Sequence, residues 1–342
     1  MANSAMRCAA AVATLTALTA PAHSANSPVV VTAENFARAE SDTYFKMLVD
    51  RGGFGKFSHR RDLPLEGTGV RPNRDTLYSL GVFDLEAGPV TITIPESGKR
   101  FISLQATDED HYVYGVDYSA GAHTYTRDKV GTRYMMAAVR IFVDPNDAAD
   151  MDRGRALQDQ IKVSQPGGPG TFAPPTWDQA SQKKIRDALM ILGETLPDWR
   201  GAGGRRGEVD PVRHLIVSAT GWGLAPDRDA IYLNFTPPRN DGQFVYRLTI
   251  PANVPVGAFW SISLYNNQGR FEKNQYGVYT INNVTAKKSA DGSVAVQFGG
   301  CDGKTSNCLP TMSGWNYIVR LYRPGPEVLD GSWKFPEARL VN

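Results

Sequence analysis

The chain has 342 residues and a formal net charge of +2; 42% of it is hydrophobic and 21% charged. That is apolar enough to bury more than one core, too apolar for a disordered chain, and too near neutrality to carry the electrostatic footprint of a nucleic-acid binder. Three cysteines are too few for a disulfide-dense scaffold, whereas 33 glycines and 22 prolines fit a turn-rich β protein.

Residues 1–24 have the build of an export leader. Arg7 precedes an uncharged stretch from Cys8 to Ala20, the length of a signal core and too short to span a bilayer. Ala22-His23-Ser24 supplies a small-x-small cleavage site, with Ala25 as the rival. The expected location is therefore periplasmic or secreted. No later segment reaches the apolar length of a membrane span. Thr32 can cap a helix from about Ala33 to Asp50, which Gly52-Gly53 would stop. A loop rich in glycine and arginine follows, to about Arg74. Alternating β-branched and aromatic runs then predict strands over 76–83, 90–94, 101–105, 112–118 and 134–143. Asp144-Pro145 is expected to open a short helix to about Ile161.

Residues 164–176 (SQPGGPGTFAPPT) have the composition of a linker. Ile185, Ala188, Leu189 and Leu192 recur at helical spacing over 177–192. From Leu215 the pattern reads as strands again, over 231–235, 244–250, 259–265, 278–281, 294–298 and 315–321. The fold class expected is mainly β with a few helices: two tandem β-sandwich or jelly-roll-like domains joined by a helical linker. The divisions are 25–163, 164–214 and 215–342. No Gly-x-Gly-x-x-Gly follows a strand, so a doubly wound nucleotide fold is not expected.

In an exported chain Cys301 and Cys308, with six residues between them in a polar turn, read as a disulfide. The familiar catalytic signatures are missing: no Gly-x-Ser-x-Gly elbow and no His-Glu-x-x-His zinc helix. No histidine after the leader lies three or four residues from another, so no local metal motif is read, and no cofactor is implied.

Two polar clusters remain. Arg71-Pro72-Asn73-Arg74-Asp75-Thr76-Leu77-Tyr78-Ser79 crowds the entry of a strand. Asp75 could serve as a general base or cation ligand, Arg74 could grip a carboxylate or phosphate, Asn73 could bind substrate, and Tyr78 could donate a hydrogen bond or stack on a ring. A structural Arg–Asp pair with an Asx turn explains the same residues. The second cluster is Asp108-Glu109-Asp110-His111-Tyr112, with His111 a candidate acid and Asp108 and Tyr112 candidate substrate contacts, or else a solvated acidic turn. In the second half Phe259-Trp260-Ser261-Ile262-Ser263-Leu264-Tyr265 alternates; Trp260 suits a ring-bearing ligand, and a sandwich core accounts for it more simply.

Residues 72–79, Gly88-Pro89-Val90 and Arg100-Phe101-Ile102-Ser103-Leu104-Gln105 resemble the bacterial family called domain of unknown function 1254, which usually has a second asparagine where this chain has Arg74. Asn240-Asp241-Gly242 through Tyr265, Asp291-Gly292-Ser293 and Trp333-Lys334-Phe335-Pro336 resemble domain of unknown function 1214. The resemblance implies a tandem of β units behind a signal peptide and brings no established reaction. Two functions stay open. One is a hydrolase or lyase acting on a small polar or sugar-like compound. The other is a non-catalytic ligand-binding or envelope-assembly module whose small-molecule ligand sits between the two units.

Overall fold

The computed structural model describes residues 27–65 and 71–341; the expected leader, 1–24, lies outside the described residues. Helix α1 (Phe36–Asp50) comes first. Asn35, not Thr32, stands at its cap position, and the Asn35 side-chain oxygen accepts the Thr32 backbone N–H. The first half then forms β1 (Ser58–Arg60), β2 (Thr76–Asp84), β3 (Val90–Ile94), β4 (Ile102–Asp108), β5 (Val113–Asp117), β6 (Gly121–Tyr125), the single turn α2 (Arg127–Val130), β7 (Tyr134–Phe142), α3 (Ala148–Asp159) and β8 (Lys162–Ser164). Helices α4 (Gln179–Gly193) and α5 (Pro211–Thr220) follow. The second half forms β9 (Ala230–Phe235), β10 (Tyr246–Ile250), β11 (Trp260–Tyr265), β12 (Thr280–Asn282), β13 (Val294–Phe298), β14 (Cys308–Leu309), β15 (Asn316–Tyr322), α6 (Pro326–Leu329) and β16 (Arg339–Leu340).

Several elements differ from the sequence expectation, and three of the differences have a clear local reason. Helix α3 starts at Ala148 because the Asp147 carboxylate caps the Ala149 N–H; Pro145 lies in the preceding turn. Helix α5 replaces the strand pattern expected from Leu215. Asp210 accepts the N–H groups of Val212 and Arg213, Pro211 occupies the first turn, and Ile216 packs on Phe36, Ala39 and Leu189. Cap and packing together outweigh the β preference of Ile216-Val217. Strand β6 was not expected, because its Gly-Ala-His-Thr-Tyr sequence carries little β propensity; pairing with β3 along its full length holds it.

In the first half a five-stranded sheet, ordered β1-β2-β7-β4-β5, faces a three-stranded sheet, β6-β3-β8. Alternation decides which side chains fill the space between them: Phe83 from β2, Val90, Ile92 and Ile94 from β3, Leu104 from β4, and Met135, Val139 and Ile141 from β7. In the second half β14-β13-β10-β16 faces β12-β11-β15-β9 across Leu248, Ile262, Val296, Phe298, Trp315 and Val319. The chain is thus mainly β, with two sandwich-like halves and a helical region between them. Neither strand order is that of a closed barrel or a jelly roll.

The outer face of the five-stranded sheet is covered in two parts. Toward the Tyr134 end of β7, Phe45 and Leu48 of α1 cover Val82, Met136 and Ala138, while α4 and α5 pack beside α1. Toward the other end, the sheet meets the outer face of β12-β11-β15-β9. There Phe142, Phe259, Tyr322 and Phe101 form an apolar cluster beside a layer of polar side chains. The residues of the expected linker run along the first half: Phe172 packs on Phe54 and Tyr134, and Thr171 accepts the Tyr134 hydroxyl proton. No helix among the described residues is long and apolar enough to cross a membrane.

Candidate functional site between the two halves

The parity of three strands builds the polar layer. In β11, Trp260, Ile262 and Leu264 point into the second core, so Ser261, Ser263 and Tyr265 point out of it. In β15 the same rule sends Tyr317, Val319 and Leu321 inward and Arg320 and Tyr322 outward. In β7 it turns Arg140 out of the first core, directly opposite Tyr78 on β2. Two guanidiniums therefore meet between the halves.

Asp75 sits at the entry of β2 with 0% exposure. Its carboxylate accepts the Ser261 hydroxyl at 2.6 Å, and the Thr280 hydroxyl and Asn282 amide at 3.4 Å each. Burial pushes its pKa upward, against the pull of Arg320 and these donors. Arg320 donates to Ser263 Oγ at 2.8 Å, to the Tyr265 hydroxyl at 2.7 Å and to the Arg71 carbonyl at 3.0 Å. Tyr265 in turn donates to the Pro72 carbonyl at 2.6 Å. Asn73 forms an Asx turn by accepting the Asp75 N–H at 2.7 Å, and its amide donates to the hydroxyls of Tyr322 at 2.8 Å and Tyr78 at 3.4 Å. Arg140 donates to Gln105 Oε1 at 2.8 Å and lies 5.4 Å from the Tyr78 ring centroid. That guanidinium, with the Asn73 amide, draws the Tyr78 phenol below its usual pKa although burial opposes it.

Arg74 turns away from this layer. It donates to the carbonyls of Leu63 and Pro64 and lies over the Tyr279 ring, which anchors the loop before β2. Trp260 points into the second core, where it packs edge-on against Phe335, and it is not part of the groove between the halves.

The second cluster stands elsewhere. Asp75 precedes the β2 residue paired with Phe142, whereas Asp108 pairs with Met135, so the two lie about seven residues apart along β7, or about 23 Å at strand rise. They share no pocket. Asp108 accepts the N–H groups of Asp110 and Tyr112 and forms the turn itself. Burial pushes its pKa up to about 7. His111, at φ 68°, is buried; its Nε2 accepts the Gly223 N–H at 2.7 Å and its Nδ1 meets Ser218 Oγ at 3.1 Å. Burial and the neighbouring His214 lower its pKa, so it stands neutral. Tyr112 stacks on His214 with centroids 4.2 Å apart, and Arg206 covers its other face. Gln105 Nε2 reaches the Gly223 carbonyl at 3.3 Å and so links this cluster to Arg140. Sequence reading missed both Arg140 and Arg320. A signal was present: each is the lone charge in an apolar strand, Tyr-Met-Met-Ala-Ala-Val-Arg-Ile-Phe and Asn-Tyr-Ile-Val-Arg-Leu-Tyr.

At the rim of the interface lies an open groove of about 580 Å³. Phe101, Tyr118 and Phe142 from the first half and Phe259 from the second give it aromatic walls, and Lys99, Arg323, Asp144 and Asp147 give it charge. Arg323 lies 5.0 Å from the Tyr118 centroid, and the Tyr118 hydroxyl donates to Asp229. Among the described residues no three His, Cys, Asp or Glu side chains are grouped to hold a metal. Far from the interface, Cys301 and Cys308 form the expected disulfide, their Cα atoms 5.7 Å apart.

A crystal structure of a protein from Vibrio parahaemolyticus matches with a TM-score of 0.71 at 17% identity, covering 91% of this chain and 98% of that one. A second, of an uncharacterised protein from Burkholderia cenocepacia, matches with a TM-score of 0.52 at 15% identity over 91% of this chain and 89% of the other. At these identities the likeness is one of fold. No curated protein matches the chain. Two family models do: Protein of unknown function (DUF1254) over residues 54–128 and Protein of unknown function (DUF1214) over residues 236–326. The chain thus carries a DUF1254 region in its first β half and a DUF1214 region in its second, in the order the sequence motifs indicate.

Proposed function

We propose that the protein is an exported ligand-binding module that takes a small ring-bearing polar compound, such as a sugar or an aryl glycoside, into the groove between its halves. The observation behind this reading is the groove itself: a concave space of about 580 Å³ whose aromatic walls come from both halves. Junctions between units are preferred ligand positions, and aromatic faces suit such rings. A hydrolase or lyase built on Asp75 would need that carboxylate beside a second ionisable group in an open pocket. Asp75 is instead spent on Ser261, Thr280 and Asn282, out of reach of the groove. Calorimetric titration of the purified chain with neutral monosaccharides, disaccharides and phenyl glycosides tests the reading. Saturable binding is expected for at least one member of that panel. Tyr118→Ala should weaken it about 3- to 10-fold, the worth of one aromatic contact. An affinity unchanged in Tyr118→Ala and Arg323→Ala, or no saturable binding across the panel, refutes it.

A further inference from the structure

Behind the groove, the layer between the two facing sheets has more hydrogen-bond donors than acceptors. Its acceptors are few and occupied. Asp75 serves Ser261, Thr280 and Asn282; Asn73 Oδ1 serves the Asp75 N–H; Gln105 Oε1 serves Arg140. The donors are not matched. Tyr322 and Tyr78 both accept from the Asn73 amide, and Tyr78 also accepts from Arg140, so neither phenol needs its own proton to satisfy those contacts. No acceptor for the hydroxyl proton of Tyr78, Tyr232 or Tyr322 is found among the described residues. The four groups lie together: Arg140 stands opposite Tyr78 across the β2–β7 pair, the Asn73 amide bridges the Tyr78 and Tyr322 hydroxyls, and Tyr232 stands opposite Arg320 on β9, within reach of the Arg140 charge.

Charge tells the same story. Arg320 has hydrogen bonds to Ser263, Tyr265 and the Arg71 carbonyl, and the nearby Asp75. Arg140 hydrogen-bonds neutral partners only, Gln105 and Tyr78; the carboxylate that acts on it, Asp229, does so from beyond ion-pair distance and is engaged with Tyr118 and Arg228. Buried cations without a counter-charge and buried donors without acceptors are both costly, and native interiors match them. Tyr78, Arg140 and Tyr232 are half-buried, so each keeps part of its surface accessible to water. One guanidinium with three phenol O–H groups is the donor set for an oxyanion.

We infer that this layer is an oxyanion site, in which Arg140, Tyr78, Tyr232 and Tyr322 hold a carboxylate or phosphate group between the two halves. The site is separate from the groove: Tyr322 stacks on Phe259, with ring centroids 4.2 Å apart, and Phe259 forms the groove wall. The inference does not depend on the groove binding sugars.

The test uses the full chain and two probes, sodium acetate and inorganic phosphate, against sodium chloride at equal ionic strength. Thermal unfolding and calorimetry are the readouts. At least one oxyanion should raise the unfolding midpoint saturably, and the tighter of the two identifies the headgroup as carboxylate or phosphate. Arg140→Gln should weaken that effect about tenfold or more, in line with the worth of a hydrogen bond to a charged group. Tyr232→Phe, which only deletes a hydroxyl, should weaken it several-fold, and it decides the matter where Arg140→Gln does not fold. Lys183→Gln on the surface of α4 should leave it unchanged. No saturable shift with either oxyanion, or equal shifts in Arg140→Gln and the parent, overturns the inference. So does a tyrosinate absorbance at neutral pH that Tyr78→Phe abolishes, because Tyr78 would then itself supply the anion.

Discussion

Replacing Asp75 separates a structural carboxylate from a catalytic one. In Asp75→Ala the Ser261 hydroxyl loses its acceptor at 2.6 Å, the Asn282 amide loses its own, and Arg320 loses the nearest negative charge, while Thr280 keeps the Ile262 carbonyl. A buried donor left unsatisfied costs about 1–3 kcal/mol, and breaking a buried charge arrangement by removing one partner costs about 3–5 kcal/mol. These overlap here, because Asp75 is a single group serving both, so about 3–5 kcal/mol is the expected loss. Asp75→Asn keeps an acceptor oxygen and the shape, and removes a carboxylate whose ionisation burial already disfavours. Its expected loss is about 1–2 kcal/mol, the worth of the charge-assisted part of the hydrogen bonds. Urea unfolding followed by tryptophan fluorescence measures both, with circular dichroism confirming the native fold. A catalytic carboxylate would give the opposite pattern, with both variants as stable as the parent. An Asp75→Ala loss below about 0.5 kcal/mol, the size of an ordinary surface change, would refute the role as a clamp between the halves.

The remaining predictions follow from single features. Asp42 and Asp108 are both pushed up by burial to about 7, so the folded state holds their protons between about 4 and 7. Their contribution to stability is fully present below about 4 and lost as pH rises through about 7, with an upper bound of about 4 kcal/mol for each at 1.4 kcal/mol per pKa unit. Asp42→Asn should flatten that fall in a pH series of urea midpoints; a slope equal to the parent's contradicts it. Gly154→Ala should destabilise by about 1–3 kcal/mol despite the better helix propensity of alanine, because the new methyl would meet Val143 Cγ1 at 2.4 Å. A variant more stable than the parent in the same assay would show that Val143 can give way. Cys301→Ser with Cys308→Ser should lower stability by about 2–3 kcal/mol, the loop-closure entropy of so short a ring; a midpoint unmoved by the double change or by reductant speaks against a bond that constrains the unfolded chain.

What sequence could and could not foretell divides along physical lines. Strand existence was legible because period-2 alternation comes from burial on one face, and β3 and β13 form with the bounds that alternation marks, Val90–Ile94 and Val294–Phe298. Helix α5 was not, since a β-branched run such as Ile216-Val217 carries the wrong local preference and only the Asp210 cap and the contact with α1 decide it. The polar segment 73–78 was visible as a cluster, but its role depends on partners some 180 to 250 residues away, among them Ser261, Asn282 and Tyr322. Spacing along the chain carries no record of such pairings. The link between Gln105 and Gly223 is hidden for the same reason.

One kind of long-range information did lie in the local sequence. Arg140 and Arg320 each interrupt an apolar strand at a position whose parity turns the side chain out of its own core. A surface-facing arginine in such a strand would sit among polar neighbours of the same parity. Here the same-parity neighbours are Phe142, Ala138, Ile318 and Tyr322, which are buried. A strand apolar on both faces with a single charge has both faces covered, and the charge marks where the second cover is polar. Two such strands in one chain, one in each half, imply that the halves dock sheet to sheet and that the charges meet at the joint. That is the geometry observed, with Tyr78, Tyr232 and Tyr322 gathered around Arg140. This layer can therefore change without disturbing either core. Exchanging a phenol of this layer alters the donor set facing the space between the sheets, while Leu104, Val139, Ile262 and Val319 continue to hold the two sandwiches.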